Sequence, residues 1–108
     1  MSIHYLREKA YSAQRALAFV DGPLAVRLGH TYMFHLMQGI HDAEEGGYLD
    51  ENLLEDLHAL AADLTAVEAV GDEGSVMATM NALPTDRIKE LAAQLWDLCS
   101  SILAQSED

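Results

Sequence analysis

Apolar residues recur at steps of three and four along most of the chain, which is the spacing of one face of an α-helix. The clearest runs are Ile3, Leu6, Ala10, Ala13, Leu17 and Val20, then Leu53, Leu57, Leu60, Leu64 and Val67, and finally Ile88, Leu91, Leu95, Leu98 and Ile102. No run alternates with the period of two that is typical of a strand, and β-branched residues are few. The pattern therefore predicts an all-α protein built from amphipathic helices.

The segment between Pro23 and Glu45 predicts a helix of a different kind. Asp21 offers an N-cap, Pro23 suits the first turn, and the pair Gly46 and Gly47 predicts the end of the helix. Its apolar residues cover most of the helix circumference instead of one stripe, which indicates burial on several sides. This helix is predicted to be either the centre of a bundle or part of a dimer interface.

The predicted boundaries divide the chain into four main helices and one short connecting helix. Asp50 is expected to cap the third main helix, Ser75 the short helix, and Thr85 or Asp86 the last helix. Short loops between helices favour antiparallel neighbours. We therefore predict that residues 1–108 form a single domain, an antiparallel bundle of four main helices plus one short connecting helix.

The composition indicates an ordinary globular domain and leaves the predicted fold unchanged. The chain has 108 residues, of which 50% are hydrophobic and 22% charged, as in an ordinary globular domain. Its single cysteine, Cys99, excludes an intrachain disulfide framework and a cysteine-rich zinc module. No apolar run approaches about 20 residues, and the start MSIHYLREKAY lacks the features of a signal peptide. We therefore expect a cytoplasmic protein that does not bind membranes.

The formal net charge of −12 is spread unevenly along the chain. Residues 1–41 hold four Lys or Arg residues and two acids, whereas residues 42–73 hold eleven acids and no Lys or Arg. Those acids are Asp42, Glu44, Glu45, Asp50, Glu51, Glu55, Asp56, Asp63, Glu68, Asp72 and Glu73. This balance argues against direct binding of nucleic acid, because the acidic block repels phosphate.

Only part of the acidic block has a local explanation. Acids in the first turns of a helix are favoured by its macrodipole, but Asp42, Glu44 and Glu45 lie at a helix C-terminus. Each costs a few tenths to about 1 kcal/mol there, and a locally unfavourable placement suggests a use. The alternative interpretation is that the acidic block is only a solvated surface. The acids predicted to bind a basic protein surface are Asp42, Glu44, Glu45, Asp50, Glu51, Glu55 and Asp56.

The predicted function is therefore a non-enzymatic protein-interaction module. One form of it is an inhibitor or decoy that mimics nucleic acid and occupies the groove of an enzyme, by compositional analogy with small phage and plasmid inhibitors. Self-association is also predicted, because the broadly apolar second helix can supply a two-fold interface. The residues expected in this homodimer interface are Tyr32, Phe34 and Met37.

A metal-binding helical bundle is the alternative from another class. Carboxylate-bridged di-metal bundles use two Glu-x-x-His pairs and two further glutamates. This chain has one such pair, Glu55 with His58, and a reversed pair, His41 with Glu44, on the neighbouring predicted helix. No phosphate-binding loop or catalytic motif occurs, and Cys99 is expected to be a small buried hydrophobe. We predict no catalytic residues and no cofactor.

Overall fold

The computed structural model describes residues 3–69 and 74–105 of the protein. Its elements are α1 (Ile3–Phe19), α2 (Leu24–Thr31), a π segment (Tyr32–Leu36), α3 (Met37–Gly46), α4 (Glu51–Leu64), α5 (Gly74–Ala82) and α6 (Thr85–Leu103). The described residues contain no strand, which confirms the prediction of an all-helical protein. They also contain no helix that is long and apolar enough to cross a membrane. Two acids of the 42–73 block, Asp72 and Glu73, lie outside the described residues.

The predicted apolar stripe of α1 is its buried face. Leu6, Ala10 and Ala13 are completely buried, and the two alanines leave room for neighbouring helices. The prediction was wrong for Val20, which lies beyond the end of α1 with 51% of its surface exposed. After α1 the chain turns at Gly22, which adopts a φ of +122° that glycine tolerates. Because the helix has ended, its spacing no longer determines which residues are buried.

The elements α2, the π segment and α3 follow one another without a break, so residues 24–46 form one long helix. Pro23 is the N-cap and, among the described residues, no side chain caps the helix, so the predicted capping by Asp21 is wrong. The predicted end is confirmed, because Gly47 adopts the left-handed conformation with φ 64° that glycine tolerates at a helix end. The π turn at the centre of this helix was not predicted from the sequence.

Two glycines let the long helix approach its neighbours closely. A Cβ atom on Gly39 would lie 2.9 Å from Leu6 Cδ1 and 3.1 Å from Lys9 Cβ, both in α1. A Cβ atom on Gly29 would lie 2.9 Å from the sulfur of Met77 in α5. The helix of residues 24–46 is thus packed on more than one side, as its broad apolar circumference predicted.

The helix caps agree with the sequence prediction at α4 and differ from it at α5 and α6. The Asp50 carboxylate accepts a hydrogen bond from the Leu53 N–H at 3.2 Å and so caps α4 as predicted. α5 already includes Gly74, one residue before the predicted cap. Pro84 is the N-cap of α6 and no side chain in the described part of the chain caps this helix, so the prediction for Thr85 or Asp86 is wrong. Proline at this position fixes the backbone without a side-chain hydrogen bond.

Two hydrogen bonds fix the direction in which α1 packs against α6. The Arg7 guanidinium donates to the Leu103 carbonyl at 3.1 Å, and the Gln14 amide donates to the Trp96 carbonyl at 3.0 Å. Because a later residue of α1 pairs with an earlier residue of α6, these two helices run in opposite directions. Cys99 lies completely buried in α6 between these two contacts along the chain.

Candidate functional site

The exposed acids predicted to bind a partner surround the turn between α3 and α4. Glu51 and Glu55 lie one turn apart on the same face of α4, where the helix start favours negative charge. Two more lie in the last turn of α3, one caps α4, and one follows Glu55. We call this set of exposed residues the acidic surface: Glu44, Glu45, Asp50, Glu51, Glu55 and Asp56.

Asp42 does not belong to the acidic surface, which corrects the set predicted from the sequence. Only 6% of the Asp42 surface is exposed, and the Asp42 Oδ2 atom accepts a hydrogen bond from the Tyr48 hydroxyl at 2.6 Å. Burial raises the pKa of the Tyr48 hydroxyl, and the hydrogen bond to Asp42 raises it further. Tyr48 therefore remains a donor, and this bond offsets the unfavourable position of Asp42 near a helix C-terminus.

Two acids of the acidic surface are paired with histidines. Glu44 contacts the ring of His58 on α4, which joins the end of α3 to α4. Glu45 lies 3.4 Å from the ring of His41, one helical turn earlier. Among the described residues, no Lys or Arg forms an ion pair with any acid of this surface. The acidic surface therefore lacks permanent positive counter-charges.

The four residues of the metal alternative do not form one cluster. Glu44 meets His58, whereas His41 meets Glu45. Across residues 3–69 and 74–105, no three side chains of His, Cys, Asp or Glu lie close enough together to hold a metal ion. Of the four residues in the two sequence pairs, only His58 and Glu44 make contact across the two helices. The described residues therefore supply no geometry for a di-metal centre.

A groove between α4 and α6 extends the acidic surface, and we call it the α4/α6 groove. Asp56 and Asp97 lie on its two sides, and Leu60 and Leu98 supply apolar wall. Its volume is about 310 Å³. Asp97 could not be predicted from the sequence, because it is 41 residues from Asp56 and only the packing of α6 on α4 brings the two residues to one groove.

The residues predicted for self-association divide between core and surface. Tyr32 is 5% exposed and packs in the core, so its predicted place in a dimer interface is corrected. Burial raises the pKa of its hydroxyl, and the nearby Glu44 charge raises it further. Phe34 and Met37 are 61% and 44% exposed, as an interface requires. Phe19, at the end of α1, is 73% exposed and was missed by the sequence prediction.

Comparisons with known proteins add no family to this picture. No family model matches the chain, and no curated protein and no solved structure is significantly similar to it.

Proposed function

We propose that this protein is a non-enzymatic interaction module whose acidic surface binds a basic surface of another protein. One observation carries the proposal: exposed carboxylates surround the α3–α4 turn, and within the described chain only histidines pair with them. Carboxylates without Lys or Arg partners create a strongly negative local field. Such a field attracts and orients a positively charged partner surface.

The α4/α6 groove supports the same function by giving the charged surface a shape. Lys and Arg lay their aliphatic stems along apolar surface while their charged heads stay near polar groups. In this groove, the partly exposed Leu98 would contact the stem, and the carboxylates of Asp56 and Asp97 would flank the head. The long-range attraction of the acidic surface would thereby gain a specific point of contact.

The proposed scaffold for this surface is an antiparallel bundle of four main helices. They are α1, the helix of residues 24–46, α4 and α6, with α5 as the short connecting helix. The opposite directions of α1 and α6 support this arrangement. The short connection from Gly47 to Asp50 supports it as well, because short loops favour antiparallel neighbours.

Self-association through Phe34 and Met37 is the second part of the proposal. Exposed large apolar side chains on one helix are typical of a protein–protein interface. Tyr32 supports this segment from the core without entering the interface. The expected assembly is a homodimer, since a two-fold interface uses the same patch on both copies.

One narrower form of the function is an inhibitor that mimics nucleic acid, of the phage or plasmid type. In this form the acidic surface occupies a groove that otherwise binds phosphate. Added duplex DNA would then displace the protein from its partner. A partner that stays bound in excess DNA would use a basic surface unrelated to nucleic-acid binding.

The experiment compares two charge variants as baits in a native-host lysate. The first variant, at the acidic surface, is Glu51→Gln, Glu55→Gln and Asp56→Asn. The second, at exposed acids elsewhere, is Glu8→Gln, Asp86→Asn and Glu90→Gln. Both variants lose the same number of negative charges, so a general effect of net charge would act equally on both. Captured proteins are identified by mass spectrometry, and circular dichroism checks that each bait is folded.

We expect the wild type and the second variant to capture the same basic protein, and the first variant to capture at least about tenfold less of it. With the purified partner, the association rate should fall as salt rises, because the Debye length shortens to ~8 Å near physiological ionic strength. Equal capture by all three folded baits would contradict the proposal.

A further inference from the structure

Four exposed residues follow one another at steps of about one turn along the helix of residues 24–46. They are His30, Phe34, Met37 and His41, and we call them the exposed stripe. The ring centroids of His30 and Phe34 lie 5.4 Å apart, and 70% of the His41 side chain is exposed. Residues three or four apart are neighbours on a helix surface. The stripe therefore has two apolar residues at its centre and one histidine at each end.

The spacing of the exposed stripe reads the same from either end. His30 precedes Phe34 by four residues, and His41 follows Met37 by four residues. Within one copy the two histidines lie about 16 Å apart along the helix, which is too far for one ion. An antiparallel two-fold pairing centred between Phe34 and Met37 sets His30 of one copy opposite His41 of the other. The two-fold axis repeats this pairing, so each dimer has two such positions.

Charge favours the antiparallel pairing over a parallel one. Glu45 lies 3.4 Å from His41, at one end of the stripe. A parallel pairing would set Glu45 opposite its own copy, and like charges that face each other repel. The groove beside the other end, between α1 and the helix of residues 24–46, is lined by His30, Phe34 and Arg27 among others, and no Asp or Glu lines it. The antiparallel pairing thus keeps the acidic ends of the two copies apart.

We propose that this pairing binds two Zn²⁺ ions, each held by His30 of one copy and His41 of the other. The inference rests on the proposed self-association through Phe34 and Met37, and it names a ligand for that interface. Histidine nitrogen is a preferred ligand of Zn²⁺, and water can complete the coordination. Among the described residues, no single copy gathers three metal-ligating side chains, so the site is incomplete without the second copy.

Two further features of the protein suit a zinc-bridged dimer. The Glu45 carboxylate contacts Nε2 of His41, which leaves Nδ1 for the metal. Carboxylates commonly orient metal-bound histidines in this way. In addition, each copy carries a net charge of −12, so two divalent cations at the interface would offset part of the repulsion between the copies.

The experiment measures the dimer dissociation constant by analytical ultracentrifugation in EDTA, in Zn²⁺ and in Mg²⁺. We expect Zn²⁺ to tighten the dimer about tenfold or more, because a ligand that binds only the dimer shifts the equilibrium toward it. Mg²⁺ carries the same charge but prefers oxygen ligands, so it should change the constant by about twofold or less. Equal tightening by both ions would show general neutralisation of acids and would overturn the proposal.

Complementation between two variants tests which histidines meet. His30→Gln and His41→Gln should each lose the Zn²⁺ response, because each variant homodimer lacks one ligand at both sites. A mixed dimer of the two variants joins the intact His30 of one copy to the intact His41 of the other. With one variant fluorescently labelled, Zn²⁺ should tighten this mixed dimer about threefold, as expected for one site of two. His4→Gln, at an exposed position on α1, is the control and should keep the full response.

The outcomes separate the metal site from the proposed self-association. A dimer that forms in EDTA and does not respond to Zn²⁺ would refute the metal site and leave the self-association intact. A protein that stays monomeric in both EDTA and Zn²⁺ would refute both. A Zn²⁺ response that persists in His30→Gln or in His41→Gln would show that identical histidines pair across a parallel interface, and the proposed site would be wrong.

Discussion

Cys99 shows at the scale of one residue how burial determines chemistry. Its side chain is completely buried in α6, and burial raises the pKa of the thiol from 9.0 to about 12. The thiolate is the nucleophilic form of cysteine, so this residue is unreactive at neutral pH. The sequence prediction of a small buried hydrophobe is therefore consistent with its position and its pKa.

The raised pKa of Cys99 also predicts how stability depends on pH. The unfolded thiol loses its proton near pH 9.0, whereas the folded thiol keeps it to about pH 12. The contribution to stability is fully present below pH 9 and is lost as pH rises through this window. By pH 10 the thiol alone should lower the free energy of unfolding by about 1.4 kcal/mol relative to pH 8. Urea unfolding at pH 8 and pH 10 measures this loss.

Cys99→Val is the control, because valine fills a similar space and cannot ionise. Its stability should change much less between pH 8 and pH 10, whatever its absolute stability. The hydroxyls of Tyr32 and Tyr48, whose pKa values are also raised above 10.0, begin to add to the loss near pH 10 in both proteins, so the difference between the two proteins isolates the thiol. The same slope in both proteins would show that the thiol does not contribute.

Asp42 illustrates what residue-level sequence reasoning misses at a candidate site. Its place against the helix dipole correctly marked it as unusual, but the sequence could not show that Tyr48 donates a hydrogen bond to it. The bond depends on how the turn after Gly47 folds the chain back onto α3. Glu44 was in the same predicted set and is exposed, because it lies on a different side of the helix. Burial separates the two acids, and burial follows from packing.

At the scale of one element, the π turn explains why the apolar residues of the helix of residues 24–46 cover most of its circumference when an ordinary α-helix is assumed. Its apolar residues at steps of four drift by about 40° per step around an ordinary α-helix, which blurs them into two faces. A π turn has more residues per turn, so a step of four within it drifts in the opposite direction and offsets the drift of the α-helical turns. Because the π segment lies at the centre of the run, these residues share one buried face: Leu28, Tyr32, Leu36 and Ile40. A sustained spacing of four was the signal available in the sequence.

The close approach at Gly39 gives a stability prediction for the same helix. Gly39→Val should destabilise the protein by about 1–3 kcal/mol, because a side chain there would overlap Leu6 Cδ1 and Lys9 Cβ in α1. Gln38→Val is the matched control at the neighbouring exposed position, and it should cost about 0.5 kcal/mol or less. Urea unfolding measures both. Equal effects would mean that helix propensity, and not packing against α1, determines the cost.

At the scale of the whole molecule, the sequence predicted element types better than it predicted surfaces. Each long helix carries its own apolar periodicity, so its existence follows from local spacing. The α4/α6 groove does not, because it depends on two helices that are distant in sequence. Asp56 and Asp97 share a groove only after α6 packs on α4. The candidate sites of this protein are properties of packing, whereas its secondary structure is a property of local pattern.

The charge distribution of the whole molecule leads to a prediction for self-association. The two copies of a homodimer each carry a net charge of −12, most of it in residues 42–73. An interface at Phe34 and Met37 does not include the acidic surface, but the two negatively charged copies still repel each other. We expect light scattering to give about twice the chain mass, and Phe34→Glu to give the monomer. Trp96→Glu, at an exposed aromatic residue on α6, should leave the dimer intact.

Salt separates this self-association from partner binding, because screening has opposite effects on the two. Raising the ionic strength weakens the repulsion between like-charged copies, so the dimer should become tighter. The same change weakens the attraction between the acidic surface and a basic partner. A dimer that instead dissociates at high salt would indicate that Arg15 or Arg27 of one copy pairs with acids of the other. The apolar interface at Phe34 and Met37 would then be wrong, and a head-to-tail contact would replace it.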